Sequence, residues 1–308
     1  MPFRDAIREM SGFHRDEVTT SNPPTTSSAP TSSSSPPPPR SSGGGRGMMD
    51  RMADAGGNLR LRRNEMKLRP EDPYLSYYDV CVTKEDIDCL KGDWLTDNNI
   101  SFWEEYLEHE ELKSPNNKVM LLRPSMVFLL KNTKDPLTLE SALPDVKKAS
   151  HIFLPINDCR NPSIPEGGTH WSLLVVGVSD RVAFHYDSLS PANCGEAREV
   201  CKKLGVLLGF SLQFFDLEDT PQQDNGSDCG VHVCWAMKHL LVKRLLAVER
   251  EKAVQMTLRG KRVDASGYRK EMFKICEGLR KKASRSTSPR TSKHDGKDSP
   301  PRIGDDQT

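Results

Sequence analysis

An α+β domain over residues 72–282 is predicted by three observations: helical periodicity at the start, strand-type segments through the middle, and helical periodicity again toward the end. Helices grouped on either side of a strand block imply a mixed or antiparallel sheet rather than a repeating βαβ pattern. No internal repeat is visible. The limits of the domain come from composition. From Thr19 to Gly47 the chain is almost wholly Ser, Thr, Pro, Gly and Arg, which cannot bury enough surface to offset the entropy of ordering. Residues 1–71 are therefore expected to be a disordered Ser/Pro/Gly-rich extension, and residues 283–308 a disordered basic tail. The roughly 210 residues between them suffice for one domain with its own core.

The elements follow in order. Trp94, Ile100, Trp103 and Leu107 mark an apolar stripe at helical spacing, with Asp97 as its expected N-cap. Pro124, followed by Ser-Met-Val-Phe-Leu-Leu, predicts a second helix opened by proline. Strands are predicted at His151–Ile156, His170–Gly177, Val182–Ser188 and Leu212–Phe215, with a helix from Glu196 to Leu208 between the last two. From Cys229 to about Leu246 the chain is first apolar and then amphipathic, with Lys238, Lys243 and Arg244. That pattern predicts a helix whose first turns are buried. A last helix is expected from Ser266 to Lys281.

A formal charge of +1 conceals an asymmetry, because residues 71–279 carry 25 basic and 32 acidic side chains while both ends are basic. A net-acidic domain argues against nucleic acid as the main ligand and leaves room for a basic protein partner. No apolar run approaches the roughly 18 residues a membrane span needs, and Met1–Met10 is charged without an apolar run, so no signal peptide is expected. The eight cysteines include no CxxC pair. Reduced thiols, a location in cytoplasm or nucleus, and no zinc are the expectation.

One cysteine stands apart. Asn225-Gly226-Ser227-Asp228 is turn-forming, with Asp228 or Ser227 available as an N-cap, so Cys229 falls in the first turn of the buried helix. Unsatisfied N–H groups and the helix dipole there favour thiolate over thiol. A base for it can come from a hairpin turning at Val178–Arg181, with Ser179 and Asp180 at its centre. That register sets Trp171, Leu173 and Val175 opposite Ser188, Tyr186 and Phe184 on one apolar face. On the other face Ser172 opposes Asp187, and His170 lies diagonally beyond, within about 7–8 Å of that carboxylate. Asp187 would then hold the His170 imidazole by one nitrogen while the other addresses the thiol. Gln223 and the Cys229 amide are the candidate oxyanion donors.

Spacing alone leaves simpler readings open. A cysteine in an apolar helix is ordinarily a small core residue, the reading kept for Cys234 and Cys276. A histidine at a strand is ordinarily capped or exposed, the reading kept for His185, His232 and His239. Gln223 by itself would be a solvated loop side chain.

Gly168-Thr-His-Trp-Ser-Leu-Leu174, His185-Tyr-Asp-Ser188 and Gln222-Gln-Asp-Asn-Gly-Ser-Asp-Cys-Gly230 together resemble the Ulp/sentrin-specific cysteine proteases, which cut ubiquitin-like modifiers after a terminal Gly-Gly. The resemblance covers about Asp72 to Lys282 and implies a papain-like fold of the Ulp type, with the nucleophile at a helix N-terminus. It implies His170 as base, Asp187 as orienter, Gln223 as oxyanion donor and Cys229 as nucleophile. Phe153-Leu-Pro-Ile-Asn-Asp158, Gly167-Gly-Thr-His-Trp-Ser-Leu-Leu-Val175 and Phe184-His-Tyr-Asp-Ser188 are most similar to the Nedd/Rub-specific branch. Trp94-Leu-Thr-Asp97 resembles that branch's Trp-Leu-Asn-Asp, departing at Thr96. By the same resemblance Trp94 and Trp171 would cover a narrow channel for the Gly-Gly tail, with Asp97 a modifier contact. Flat indoles leave no room for a β-carbon, so only glycine would thread between them.

The resemblance implies a cysteine peptidase without cofactor, acting on a Nedd/Rub-type modifier and its conjugates; a monomer is expected, and charge and hydropathy point to neither nucleic acid nor membrane as partner. A SUMO-specific protease, an acyltransferase on the same Cys-His-Asp layout and a non-catalytic modifier-binding module are the alternatives.

Overall fold

The computed structural model describes residues 68–114, 118–161, 163, 167–247, 254–286 and 300–304. The expected disordered extension lies almost wholly outside the described residues.

A hairpin of β1 (Pro73–Tyr77) and β2 (Val80–Thr83) opens the domain, followed by α1 (Lys84–Cys89) and α2 (Asp97–Glu110). Strand β3 (Val119–Leu121) leads into α3 (Pro124–Asn132), whose first residue is the proline that the sequence placed there. Strands β4 (His151–Asn157), β5 (Trp171–Gly177) and β6 (Val182–Tyr186) come next, then α4 (Cys194–Leu208) and β7 (Gln213–Asp216). Helices α5 (Cys229–Leu240) and α6 (Ala265–Ser286) follow, and β8 (Arg302–Ile303) is the last element.

The predicted α+β class is correct. The main sheet runs β3-β4-β5-β6-β7, antiparallel across β4-β5-β6 and parallel at both edges. Within the β5-β6 hairpin Leu173 pairs with Tyr186, Leu174 with His185 and Val175 with Phe184, the register read from the sequence. Alternation then divides the sheet into two faces. Ile152, Leu154, Ile156, Leu174, Val176 and Ala183 pack with α3 and α4 through Val127, Leu130, Val200 and Leu204. The opposite face, through Trp171, Leu173 and Tyr186, lies against His232, Val233 and Ala236 of α5.

A second sheet, β2-β1-β8, was not anticipated. Helix α6 continues past the expected boundary at Lys282 to Ser286, and Arg302–Ile303, expected within a disordered tail, pair in parallel with Ser76 and Tyr77. The Ser76 and Tyr78 N–H groups donate to the carbonyls of Pro301 (2.9 Å) and Ile303 (2.6 Å).

Helix α2 begins one residue before the start that an Asp97 cap would set, and it leaves Trp94 of the apolar stripe outside. Its N-cap is Thr96, which accepts from the Asn99 N–H at 3.0 Å while the Asn99 side chain accepts from the Thr96 N–H at 3.1 Å. That reciprocal capping box makes Asp97 the first helical residue rather than the cap. Trp103, fully buried, donates from Nε1 to the Cys234 carbonyl at 2.9 Å and so ties α2 to α5. Among the described residues no helix is long and apolar enough to cross a membrane.

Candidate active site

His170 stands one residue before β5, and Asp187 one residue after β6, at the same end of the hairpin. The register that pairs Leu173 with Tyr186 brings them together: His170 Nε2 lies 2.6 Å from Asp187 Oδ1, and both side chains are buried. Two backbone donors hold the carboxylate from the other side, Leu189 N–H to Oδ1 and Asn193 N–H to Oδ2, each at 2.9 Å. Burial works against the Asp187 charge, but the His170 hydrogen bond and these two amides outweigh it, and its pKa lies below the ordinary carboxylate value.

The backbone carrying His170 is held as firmly. Asp158 accepts from Thr169 N–H (2.6 Å), Thr169 Oγ1 (2.6 Å) and His170 N–H (3.1 Å), and its own N–H donates to the His170 carbonyl at 3.3 Å. Gly168, just before this cradle, has φ of +100°, and a Cβ there would lie 2.2 Å from Asn157 Oδ1 and 2.6 Å from Asp158 Oδ1. Only glycine fits.

Cys229 is the first residue of α5 and is 2% exposed. It lies close enough to His170 to act on the imidazole's charge, and the His170 nitrogen not engaged by Asp187 is Nδ1. Burial lowers the His170 pKa, but hydrogen bonds to Asp187 and Cys229, and then their charges, more than reverse this and raise it to about 9. The imidazole is therefore cationic at neutral pH.

Asp228 occupies the N-cap position of α5 but does not cap the helix with its side chain. Its backbone (φ −93°, ψ 5°) lacks the extended geometry that turns a cap oxygen back onto the first turn. The carboxylate instead receives Arg269 Nε at 2.8 Å on Oδ1 and Asn225 Nδ2 at 2.7 Å on Oδ2. Ser227 caps nothing either; its N–H donates to Asn225 Oδ1 at 3.0 Å, as does that of Asp228.

Gln223 lies in the loop leading to Cys229. Its Oε1 accepts from Ser188 Oγ at 2.7 Å, which fixes the orientation of the amide, and its Nε2 donates one hydrogen to the Asn225 carbonyl at 2.7 Å. The amide carries a second N–H. Beside it, Gln222 Nε2 donates to the Asp187 carbonyl at 2.8 Å and its Oε1 accepts from Ser190 N–H at 3.1 Å, pinning the two loops to each other.

Trp94 precedes α2 rather than joining its stripe and is 45% exposed. Its neighbour Leu95 is buried against Gly230, where a Cβ would come within 2.8 Å of Leu95 Cβ. This close approach holds Trp94 beside the start of α5. Trp171, half-buried, lines a small crevice with Ser188, Pro221 and His232. Asp97 is exposed, and its carbonyl accepts from Ser101 Oγ; no hydrogen bond joins it to His170, Asp187 or Cys229. Gly230→Ala is expected to cost about 1–3 kcal/mol through overpacking, more than the ~1 kcal/mol by which alanine favours a helix. Displacing Leu95 also shifts Trp94. Thermal denaturation together with Trp94 fluorescence in a background lacking the other tryptophans would check it, and an unshifted melting temperature would refute the contact.

Several residues of the site were not read from the sequence. Asn193 is fully buried, its Nδ2 reaching the carbonyls of Ile156 (3.1 Å) and His170 (3.3 Å). Nothing in Pro191-Ala-Asn193 announces that role. Arg269 did leave a signal, since it lies in the buried stripe of α6 beside Tyr268 and Met272, and a basic residue in an apolar stripe demands a buried acceptor. His185, expected to be capped or exposed, is fully buried, because Asp216 Oδ1 (2.7 Å) and Ser172 Oγ (2.9 Å) satisfy both ring nitrogens. His232 is buried too, with Nδ1 3.2 Å from the Pro221 carbonyl. Cys234 and Cys276 are buried core residues, as expected. Among the described residues no cluster of three His, Cys, Asp or Glu side chains forms a metal site.

Residues 93–277 match the Ulp1 protease family, C-terminal catalytic domain. The chain belongs to the Ulp1 protease family. The match takes in His170, Asp187, Gln223 and Cys229. This Ulp1-family chain is 39% identical over 212 residues to NEDD8-specific protease 2 of Schizosaccharomyces pombe, covering 67% of the chain and 50% of that protein. It is 36% identical over 196 residues to the probable sentrin-specific protease 8 of Dictyostelium discoideum, covering 58% of the chain and 79% of the relative. The chain spans about half the length of the Schizosaccharomyces pombe relatives it matches. Among solved structures, the C-terminal Ulp1 protease domain in complex with Smt3, the yeast ortholog of SUMO, superposes with a TM-score of 0.51 at 18% identity, over 70% of this chain and 91% of that one. That likeness shows the Ulp1 fold in this chain.

Proposed function

We propose that this chain is a thiol isopeptidase and endopeptidase that cleaves after the C-terminal Gly-Gly of a Nedd/Rub-type modifier, releasing it from conjugates or trimming its precursor. The observation that carries the reading is the line Cys229–His170–Asp187, with the thiol at a helix N-terminus and the imidazole held between two acidic partners. The choice of modifier rests on the relatives named NEDD8-specific proteases.

In this reading the Cys229 thiolate attacks the carbonyl carbon of the terminal glycine, and the carbonyl electron pair moves onto oxygen. The free N–H of Gln223 and the Cys229 N–H meet that oxyanion; one such donor is typically worth about 2.7–4 kcal/mol. His170 gives its Nδ1 proton to the leaving amine as the C–N bond breaks, which leaves a thioester. Neutral His170 then takes a proton from water, whose oxygen attacks the thioester and returns the thiolate. In this reading Trp94 and Trp171 would flank the approach to Cys229 and exclude side chains, leaving selectivity among modifiers that share a Gly-Gly tail to the more distant surface.

The test is a set of Nedd8, SUMO and ubiquitin probes bearing a C-terminal electrophile, with Cys229→Ala as control. The Nedd8 probe is expected to label wild type and to spare the variant. Labelling by SUMO alone would overturn the modifier assignment, and labelling that survives Cys229→Ala would overturn the nucleophile.

A further inference from the structure

Arg269 lies on α6, far from Cys229 in sequence, and is 5% exposed. Its guanidinium places Nε 2.8 Å and Nη2 2.7 Å from Asp228 Oδ1, Nη2 3.0 Å from the Ser227 carbonyl, and Nη1 2.8 Å from the Cys89 carbonyl at the end of α1. One side chain thus joins α1, α6 and the loop that delivers the nucleophile. The second Asp228 oxygen receives Asn225 Nδ2, and the Asn225 carbonyl receives Gln223 Nε2, both at 2.7 Å. A continuous hydrogen-bonded line therefore runs from Arg269 through Asp228 and Asn225 to the Gln223 amide.

The same line has an electrostatic consequence. An anionic Asp228 adjoining Cys229 opposes both a thiolate and an oxyanion at the start of α5. A buried guanidinium on that carboxylate removes the opposition. We infer that Arg269 is a positioning residue for the reaction: by neutralising and fixing Asp228 it sets the thiolate character of Cys229 and the placement of the Gln223 amide. The inference rests on Cys229 being the nucleophile. Lysine cannot substitute fully, because a single ammonium does not reproduce the fork that reaches Asp228, Ser227 and Cys89 together.

The experiment compares Arg269→Gln, Arg269→Lys and Arg269→Gln with Asp228→Asn in the full chain. It reads the pH dependence of Cys229 alkylation by iodoacetamide, kcat and KM on a Nedd8-amide fluorogenic substrate, and Tm. Beside Cys229 is His170, itself held by Asp187 at the hairpin end; beside Asp228 is His232 on α5, with Asp224 in the loop acting on that histidine. All four are common to the three variants, so differences among the variants report Arg269 and Asp228. Arg269→Gln is expected to raise the alkylation midpoint by about one pH unit and to lower kcat about tenfold to a hundredfold, with KM little changed. The double substitution is expected to return the midpoint to wild type, and Arg269→Lys to keep the midpoint while losing part of kcat. If Arg269→Gln does not fold, the other two variants carry the test. Wild-type midpoints and kcat in every folded variant, with only Tm lowered, would overturn the positioning role and leave the proteolytic reading intact. A wild-type protein that no probe labels would instead remove the reading beneath it.

Discussion

Replacing Asp187 by asparagine is expected to lower kcat by roughly three to four orders of magnitude, the scale seen when the carboxylate of a Ser-His-Asp triad is made neutral. Three hydrogen bonds argue for the size. Asp187 accepts from His170 and Leu189 on Oδ1 and from Asn193 on Oδ2. An amide cannot satisfy all of these, since wherever its NH2 is placed it meets a donor. The charge that keeps His170 protonated is lost as well. The His170 pKa of about 9 is above the 6.5 of an unperturbed imidazole, so the pair stabilises the fold fully below about pH 6.5 and ceases to as pH rises through about 9. Asp187 contributes with the opposite dependence: its stabilisation is present above the ordinary value of 3.8 and is lost as pH falls through its depressed one. Wild-type activity should therefore decline on the alkaline side near pH 9, where the proton for the leaving amine is lost. In Asp187→Asn that decline should move down toward pH 6.5. A kcat–pH profile checks both, and an unmoved alkaline limb would show that Asp187 does not set the state of His170.

Gly168→Ala is expected to cost at least about 2 kcal/mol of stability and about a hundredfold in kcat. A non-glycine residue at φ +100° is strained by about 1–3 kcal/mol. Its Cβ would also strike Asp158 Oδ1, the oxygen that accepts the Thr169 and His170 N–H groups. Displacing that oxygen moves the His170 backbone, and a shift near 1 Å in a catalytic group is worth about two orders of magnitude. Urea denaturation with steady-state kinetics on the same preparation checks it; a variant within twofold of wild type in kcat and unchanged in midpoint would show that the Asp158 cradle does not hold His170 in place.

Much of this was legible in the chain because one turn is clean. Leu173–Val176 and Ala183–Tyr186 are buried on both faces, so the tight turn at Val178–Arg181 is what sets their register, and that register carries His170 to Asp187. The start of α2 was placed one residue late because Asp97 is itself a good N-cap type. The decisive signal was the Thr96–Asn99 box, whose threonine is a good N-cap. His185 could not be placed from its own strand, since its partners Asp216 and Ser172 lie on the strands to either side. Strand β8 was beyond reach for a related reason: two residues have no strand preference worth reading, and they are extended because β1 offers them an edge.

That edge matters for how the protein is handled. A version cut after Ser286, the natural place to end a catalytic domain, would lose the strand that engages the Ser76 and Tyr78 N–H groups. Bare sheet edges recruit strands from other molecules. The trimmed protein would keep its whole catalytic centre and yet be the stickier of the two, self-associating through a seam that Arg302–Ile303 otherwise closes.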